Sequence, residues 1–178
     1  MAAGASVLNA FSFSGGFSVY AARGGATDVT SLDLSKFALA SAERNYSLNT
    51  QISEVAACRH HVVQADAFKW LAESQNVYDI VILDPPALAK RKADTSQALQ
   101  AYRKLASSGA KLTGKGGILI SASCSAHIKA DDFFDMVHAA LKASGRKFKE
   151  LQRTGQPGDH PAIFQESKYL KCIYVRML

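Results

Sequence analysis

Val7-Leu8-Asn9-Ala10-Phe11-Ser12-Phe13-Ser14-Gly15-Gly16-Phe17, taken with the Ser31-Leu32-Asp33-Leu34-Ser35 that follows, decides the fold of this chain. The first stretch passes from an apolar run into a small-residue turn and then into a helix-compatible segment. A strand therefore delivers the backbone to a tight turn at a helix N-terminus. Glycine there tolerates φ > 0 and carries no side-chain bulk, so a ligand can approach the main chain closely. The free N–H groups and partial positive charge of the helix start suit a carboxylate or a phosphate. Asp33 ends the next apolar run seventeen residues after Gly16, where a carboxylate can accept hydrogen bonds from both hydroxyls of a ribose. The turn lacks the spacing GxGxxG, which argues against a dinucleotide and hence a nicotinamide dehydrogenase.

Outward from this unit, short β-rich runs alternate with longer helix-compatible ones, the order of a parallel sheet with crossover helices. Strands are predicted at Ser6 to Phe11, Val29 to Leu32, His61 to Gln64, Tyr78 to Leu83 and Gly117 to Ala122, each buried on both faces. Helices are predicted at Gly15 to Arg23, Ser35 to Leu48, Ala67 to Ser74, Thr95 to Thr113 and Ala130 to Ser144, with Ser35 as an N-cap and Gly114 and Gly145 as stops. The tail differs: Phe148 to Gln152 and Tyr169 to Arg176 should pair antiparallel. The expected fold is α/β and Rossmann-like, a mostly parallel seven-stranded sheet with an antiparallel C-terminal strand pair and helices on both faces.

Such sheets bind ligands at the carboxyl ends of their strands. Asp66 ends the third strand, where it either accepts from an adenine amino group, with Phe68 nearby, or simply caps the helix that starts at Ala67. Asp84 ends the fourth, in Leu83-Asp84-Pro85-Pro86; consecutive prolines hold the carboxylate rigidly at the strand tip. The fifth leads into Ser123-Cys124-Ser125, placing a thiol beside the same crevice, with hydroxyls and a basic field expected to favour its thiolate. Cys58 and Cys172 are read as structural residues away from the strand carboxyl ends. His127 is a secondary proton-transfer candidate. His60-His61 has no acidic or cysteine partner at ligand spacing, so no metal is expected.

The 178 residues, 48% hydrophobic, suit one compact domain. An excess of 21 Lys and Arg over 15 Asp and Glu gathers in Lys90-Arg91-Lys92 and in Lys142, Arg146, Lys147 and Lys149, which suits phosphates as well as water. No run reaches the roughly 20 apolar residues of a membrane span, so no membrane partner is expected. Three cysteines without a close pair, and an N-terminus without basic residues ahead of an apolar run, point to a cytoplasmic, reducing compartment.

With these residues in hand, the chain resembles the bacterial 23S ribosomal RNA 5-methylcytosine methyltransferases of the large-subunit methyltransferase I type, which are class I methyltransferases. The likeness runs nearly end to end. It rests on Leu8 to Phe17, Ser31 to Ser35, Asn45 to Asn49, Leu83-Asp84-Pro85-Pro86, Gly116-Gly117-Ile118-Leu119, Ser123-Cys124-Ser125 and Asp159-His160-Pro161. The resemblance implies S-adenosylmethionine as cofactor, held by Ser14, Gly15, Gly16, Asp33 and Asp66. Phe11, Ser12, Leu34, Ala67, Asp84 and Pro85 complete that wall. It further implies that Cys124 is the nucleophile, that Asp84 orients the base, that Pro86, Lys90 and Arg91 meet the substrate, and that the partner is RNA, in particular 23S rRNA. A homodimer stays open. Family members carry an N-terminal PUA-type RNA-binding domain and a connecting domain before the cofactor motif; this sequence begins about five residues before its first strand, so residues 1–178 are expected to be the methyltransferase domain alone. Ala87 stands where several relatives carry lysine. Two other readings remain. An amino-directed adenine or guanine methyltransferase would use Asp-Pro-Pro, although it usually follows the prolines with a stacking aromatic. A non-catalytic cofactor- or RNA-binding module would keep the fold without turnover.

Overall fold

The computed structural model describes residues 1–158 and 169–178; Asp159-His160-Pro161 lies outside them. Seven strands form one sheet: β1 (Ser6–Ala10), β2 (Asp28–Asp33), β3 (Arg59–Gln64), β4 (Tyr78–Leu83), β5 (Thr113–Ser123), β6 (Phe148–Thr154) and β7 (Lys171–Met177). Their order is β3-β2-β1-β4-β5-β7-β6. The first five are parallel, and β7 pairs antiparallel with both β5 and β6. The reversed tail expected from the sequence is present, with β7 inserted between β5 and β6.

Helices α1 (Gly16–Arg23), α2 (Lys36–Ser47), α3 (Ser53–Ala57), α4 (Ala67–Glu73), α5 (Thr95–Leu112) and α6 (Ala130–Ala143) cover the sheet. Alternating side chains build a core on each face, as the period of two in a strand requires. Leu8, Val81, Leu83, Leu119, Ile173 and Val175 pack with Tyr102 and Leu105 of α5 and Phe133 and Val137 of α6. On the other side Val7, Val29, Ile80 and Ile82 pack with Val19 and Ala22 of α1, Tyr46 of α2 and Val55 of α3. Gly109 permits close contact between α5 and the sheet: a Cβ there would lie 2.8 Å from methyl carbons of both Leu83 and Leu119.

The central strands have the burial expected of a parallel sheet, but β3 does not. It is an edge strand whose Arg59, His61, Val62 and Gln64 are exposed, because among the described residues β2 is its sole strand neighbour. His60 there stacks on Tyr46, ring centroids 4.2 Å apart, with Nε2 2.9 Å from Ser31 Oγ. Burial, with His61 adding to it, pushes its pKa down to about 4, which keeps the ring neutral at pH 7. Helix α3 was not anticipated; five residues are too short for a visible apolar period. Strand β5 starts at Thr113, directly off α5 and four residues before the predicted Gly117. Among the described residues no helix is long and apolar enough to cross a membrane.

Candidate active site

The β1–α1 turn is held in an uncommon shape. Phe11 (φ 60°), Phe13 (φ 45°) and Gly15 (φ 77°) all occupy the left-handed region, rare for aromatic residues and open to glycine. Neighbouring groups lock it. The Ser12 N–H donates to the Leu32 carbonyl (3.0 Å), and Asn45 Nδ2 donates to the Ser14 carbonyl (2.9 Å). Asp33 accepts the Phe13 N–H on one carboxylate oxygen and the Ser35 N–H on the other, both at 2.9 Å. Gly15 is further required by α2, since a Cβ would stand 2.7 Å from Ala42 Cβ. Strain of this kind, fixed by the surrounding fold, clusters at ligand sites.

Beside this turn lies a cleft of about 600 Å³ at the carboxyl ends of β1, β2, β3, β4 and β5. Of the residues singled out from the sequence, Phe11, Asp33, Leu34, Asp66, Ala67, Phe68, Asp84, Pro85, Pro86 and Cys124 line it; Phe13 and Leu170 join them. Phe11 and Phe68 meet edge to face, centroids 5.8 Å apart. Ser14 faces a smaller adjoining cavity of about 260 Å³, shared with Phe13, Asp33 and Ser35. Ser12 and Gly15 are buried beneath the turn, and Gly16 opens α1 at the surface. Lys90 and Arg91 do not reach the cleft: both are exposed on the following loop, and Arg91 is paired with Asp94 at 3.2 Å. Arg146, from the second basic cluster, donates to the Ala110 and Thr113 carbonyls at the end of α5.

The residues present suit an adenosine-bearing ligand. Each Asp33 oxygen keeps a lone pair beyond its one backbone contact, and Asp66 caps α4 through a single oxygen, Oδ1 to the Lys69 N–H at 3.0 Å. Both readings of Asp66, cap and ligand acceptor, are thus compatible. Ser12 Oγ, among the described residues, is buried without a hydrogen-bond partner beneath the turn and lines neither cavity.

At the far end of the cleft, Asp84 and Cys124 stand together. Burial pushes the Asp84 carboxyl above the usual carboxylate range. The thiol does not behave as expected from the sequence. Burial first, and the Asp84 charge second, push Cys124 upward, so the resting group is a thiol; its Sγ lies 4.0 Å from the Pro85 carbonyl. Nor do the adjacent hydroxyls serve it. Ser123 Oγ donates to Tyr102 OH (2.9 Å), and Ser125 Oγ accepts from the Leu88 and Ala89 N–H groups (3.0 and 3.2 Å).

Cys172 also needs correction: antiparallel β7 begins where its neighbours end, so Cys172 lies opposite Ala122, at the carboxyl end of β5. It lines a second cavity of about 600 Å³ that shares Asp84 and Leu170 with the first, and burial pushes its thiol up to about 11. Cys58 precedes β3, at the opposite end of the sheet, and is buried. His127 is exposed. Among the described residues no group of three or more His, Cys, Asp or Glu side chains is placed to hold a metal. Lys171, which the sequence did not single out, is buried behind the Cys124 loop.

A mostly parallel seven-stranded sheet with one reversed strand, and a cleft lined by acids at successive strand ends, defines the Rossmann-like methyltransferase class. The chain belongs to the S-adenosylmethionine-dependent methyltransferase family, whose sequence profile matches residues 1–176. It is 52% identical over 177 residues to a ribosomal RNA large subunit methyltransferase of Deinococcus radiodurans, covering 98% of this chain and 42% of that one. It is 37% identical over 176 residues to ribosomal RNA large subunit methyltransferase I of Aeromonas salmonicida, covering 96% and 43%. The chain thus spans less than half the length of these curated relatives. A solved structure described as a methyltransferase complexed with SAH superposes with a TM-score of 0.79 at 29% identity, over 98% of this chain and 46% of the other.

Proposed function

We propose that this chain transfers a methyl group from S-adenosylmethionine to C5 of a cytosine in ribosomal RNA, with Cys124 as nucleophile and Asp84 facing N3 of the base. The observation that carries this reading is that Asp84 and Cys124, from different strands, line one cleft with Asp33 and Asp66. The names of the large-subunit ribosomal RNA methyltransferases it resembles support ribosomal RNA as substrate, and 23S rRNA is the RNA we propose.

Asp33 and Asp66 would hold the ribose hydroxyls and adenine amino group, with Phe11 and Phe68 against the ring. When bound, the cofactor would supply an electrophilic methyl group to the cleft that Asp84 and Pro85 line. Cytosine C5 is a poor nucleophile, and the chain's own groups must activate it. Cys124, its thiol proton passing to water, adds to C6, forming an S–C6 bond as the C5=C6 π bond opens. Asp84, whose protonated form burial favours, delivers a proton to N3, so the displaced electron pair renders C5 enamine-like. After C5 is alkylated, its proton passes to water, the S–C6 bond breaks to restore the ring double bond and return the Cys124 thiolate, and the N3 proton returns to Asp84. Holding thiol, acid and base in one cleft makes these steps effectively intramolecular.

Ala87 offers no ring to stack a base after the prolines, and an amine-directed enzyme would leave Cys124 idle. Cys124→Ala tests the choice. It should abolish methylation of a 23S rRNA fragment, read by mass spectrometry of the digested nucleosides, while calorimetry still detects S-adenosylmethionine. Methyl transfer retained in Cys124→Ala would overturn the covalent cytosine mechanism.

A further inference from the structure

We propose that Lys171 is a positioning residue for Cys124: its buried ammonium fixes the loop that carries the thiol and supplies the positive charge against which the thiolate forms. This builds on the assignment of Cys124 as nucleophile, whereas the measurement below reads the thiol itself and needs no substrate.

Lys171 opens β7 and is 3% exposed. It shares a sheet face with Ile173, Val175 and Met177, all 0% exposed, where strand alternation places an apolar side chain. An ammonium in such a place carries a desolvation cost of several kcal/mol unless its protons are satisfied. Its Nζ donates to the Ser125 carbonyl at 2.7 Å and to the Tyr169 carbonyl at 3.0 Å. Among the described residues no carboxylate lies within salt-bridge distance of it. Among the described residues the cation is therefore held by main-chain dipoles.

The residue it grips follows Cys124 directly. Ser125 is a clasp: its carbonyl takes Lys171, while its hydroxyl takes the Leu88 and Ala89 N–H groups and stands 3.0 Å from Tyr102 OH. Its own N–H donates to Ser123 Oγ at 3.2 Å. Ser125, directly after Cys124, is thereby tied both to the loop after Asp84-Pro85-Pro86 and to the start of β7. Two titratable groups besides Lys171 act around the thiol, Asp84 just after β4 and Tyr102 on α5, while Cys172 on β7 senses Asp84. Asp84 disfavours the thiolate and Lys171 favours it. Burial brings the Lys171 pKa down to about 8, and the Cys124 charge acts to raise it, so the ammonium form dominates at pH 7 when the thiolate is needed. A methionine in its place would fill the same volume without the charge.

The test is the pH profile of Cys124 alkylation by iodoacetamide, with peptide mass spectrometry separating Cys124 from Cys58 and Cys172. Lys171→Met should move the midpoint up by about one pH unit, slowing alkylation about tenfold at pH 7 and leaving the plateau rate at high pH unchanged. A merely structural lysine would alter the melting temperature without moving the midpoint, and a folded Lys171→Met with the parent's profile overturns the proposal. If circular dichroism shows Lys171→Met unfolded, Lys171→Gln takes the same measurement with the same expected shift. Failure of both to fold assigns Lys171 a scaffold role only, which also overturns it. Should Cys124→Ala retain RNA methylation, the cytosine reading fails while the alkylation profile still decides the role of Lys171.

Discussion

Gly15→Ala isolates the geometry of the β1–α1 turn. The added methyl would sit 2.7 Å from Ala42 Cβ and 3.1 Å from Ala42 Cα, both on the rigid α2, at a residue whose φ is +77°. Placing a non-glycine residue in the left-handed region costs about 1 kcal/mol, and overpacking a site that cannot give way adds about 1 to 3 kcal/mol. The expected loss is therefore about 2 to 4 kcal/mol, a drop of roughly 4 to 16 °C in Tm for a domain of this size. Gly16→Ala is the control, because a Cβ there meets nothing within 4 Å and its φ is not positive. It should leave Tm within about 2 °C. Urea denaturation followed by circular dichroism, with both variants on one scale, measures the difference. Equal stability of the two variants would refute the claim that contact with α2 and backbone handedness require glycine at position 15.

Asp33→Asn keeps the shape but removes the charge that accepts the Phe13 and Ser35 N–H groups, so calorimetry should show S-adenosylmethionine binding about 10- to 100-fold weaker. Unchanged affinity would remove Asp33 from the cofactor site. Asp84 yields a prediction with a defined sign. Its folded pKa lies above the ordinary carboxylate value because burial disfavours the charged form, so the protonated group is compatible with folding in acid and its ionisation destabilises the fold as pH rises. Asp84→Asn should accordingly stabilise the protein at pH 7 and lose that advantage below the normal Asp pKa of about 4, read from denaturation midpoints across pH. A gain of equal size at pH 3 and pH 7 would contradict the burial argument.

Much of the site was legible because its parts are local. The turn from Phe11 to Gly16 follows one apolar run, Asp33 and Asp66 each end another, and Ser35 sits one residue ahead of a helix it caps through the Ala38 N–H. The less legible residues depend on partners distant in the chain. Asn45 was noticed only as part of a resemblance, yet its amide holds the Ser14 carbonyl 31 residues away. Lys171 reads in isolation as a charged residue at a strand start, and its partner Ser125 lies 46 residues earlier. The Lys90-Arg91-Lys92 run looked available to phosphates, but Arg91 is committed to Asp94 on its own loop.

What the sequence by itself determined is the alternation of strand and helix, the reversed tail and the acids at successive strand tips. Apolar period, caps and turn residues act over a few neighbours, and a parallel sheet needs no more than their order. The tertiary structure alone decided that β7 enters between β5 and β6, which carries Lys171 and Cys172 to the end of the sheet where Cys124 and Asp84 stand. It also decided the direction in which the pKa values of that pair shift. Burial depends on everything packed around a group, and here it outweighs the local polarity that had suggested a ready thiolate.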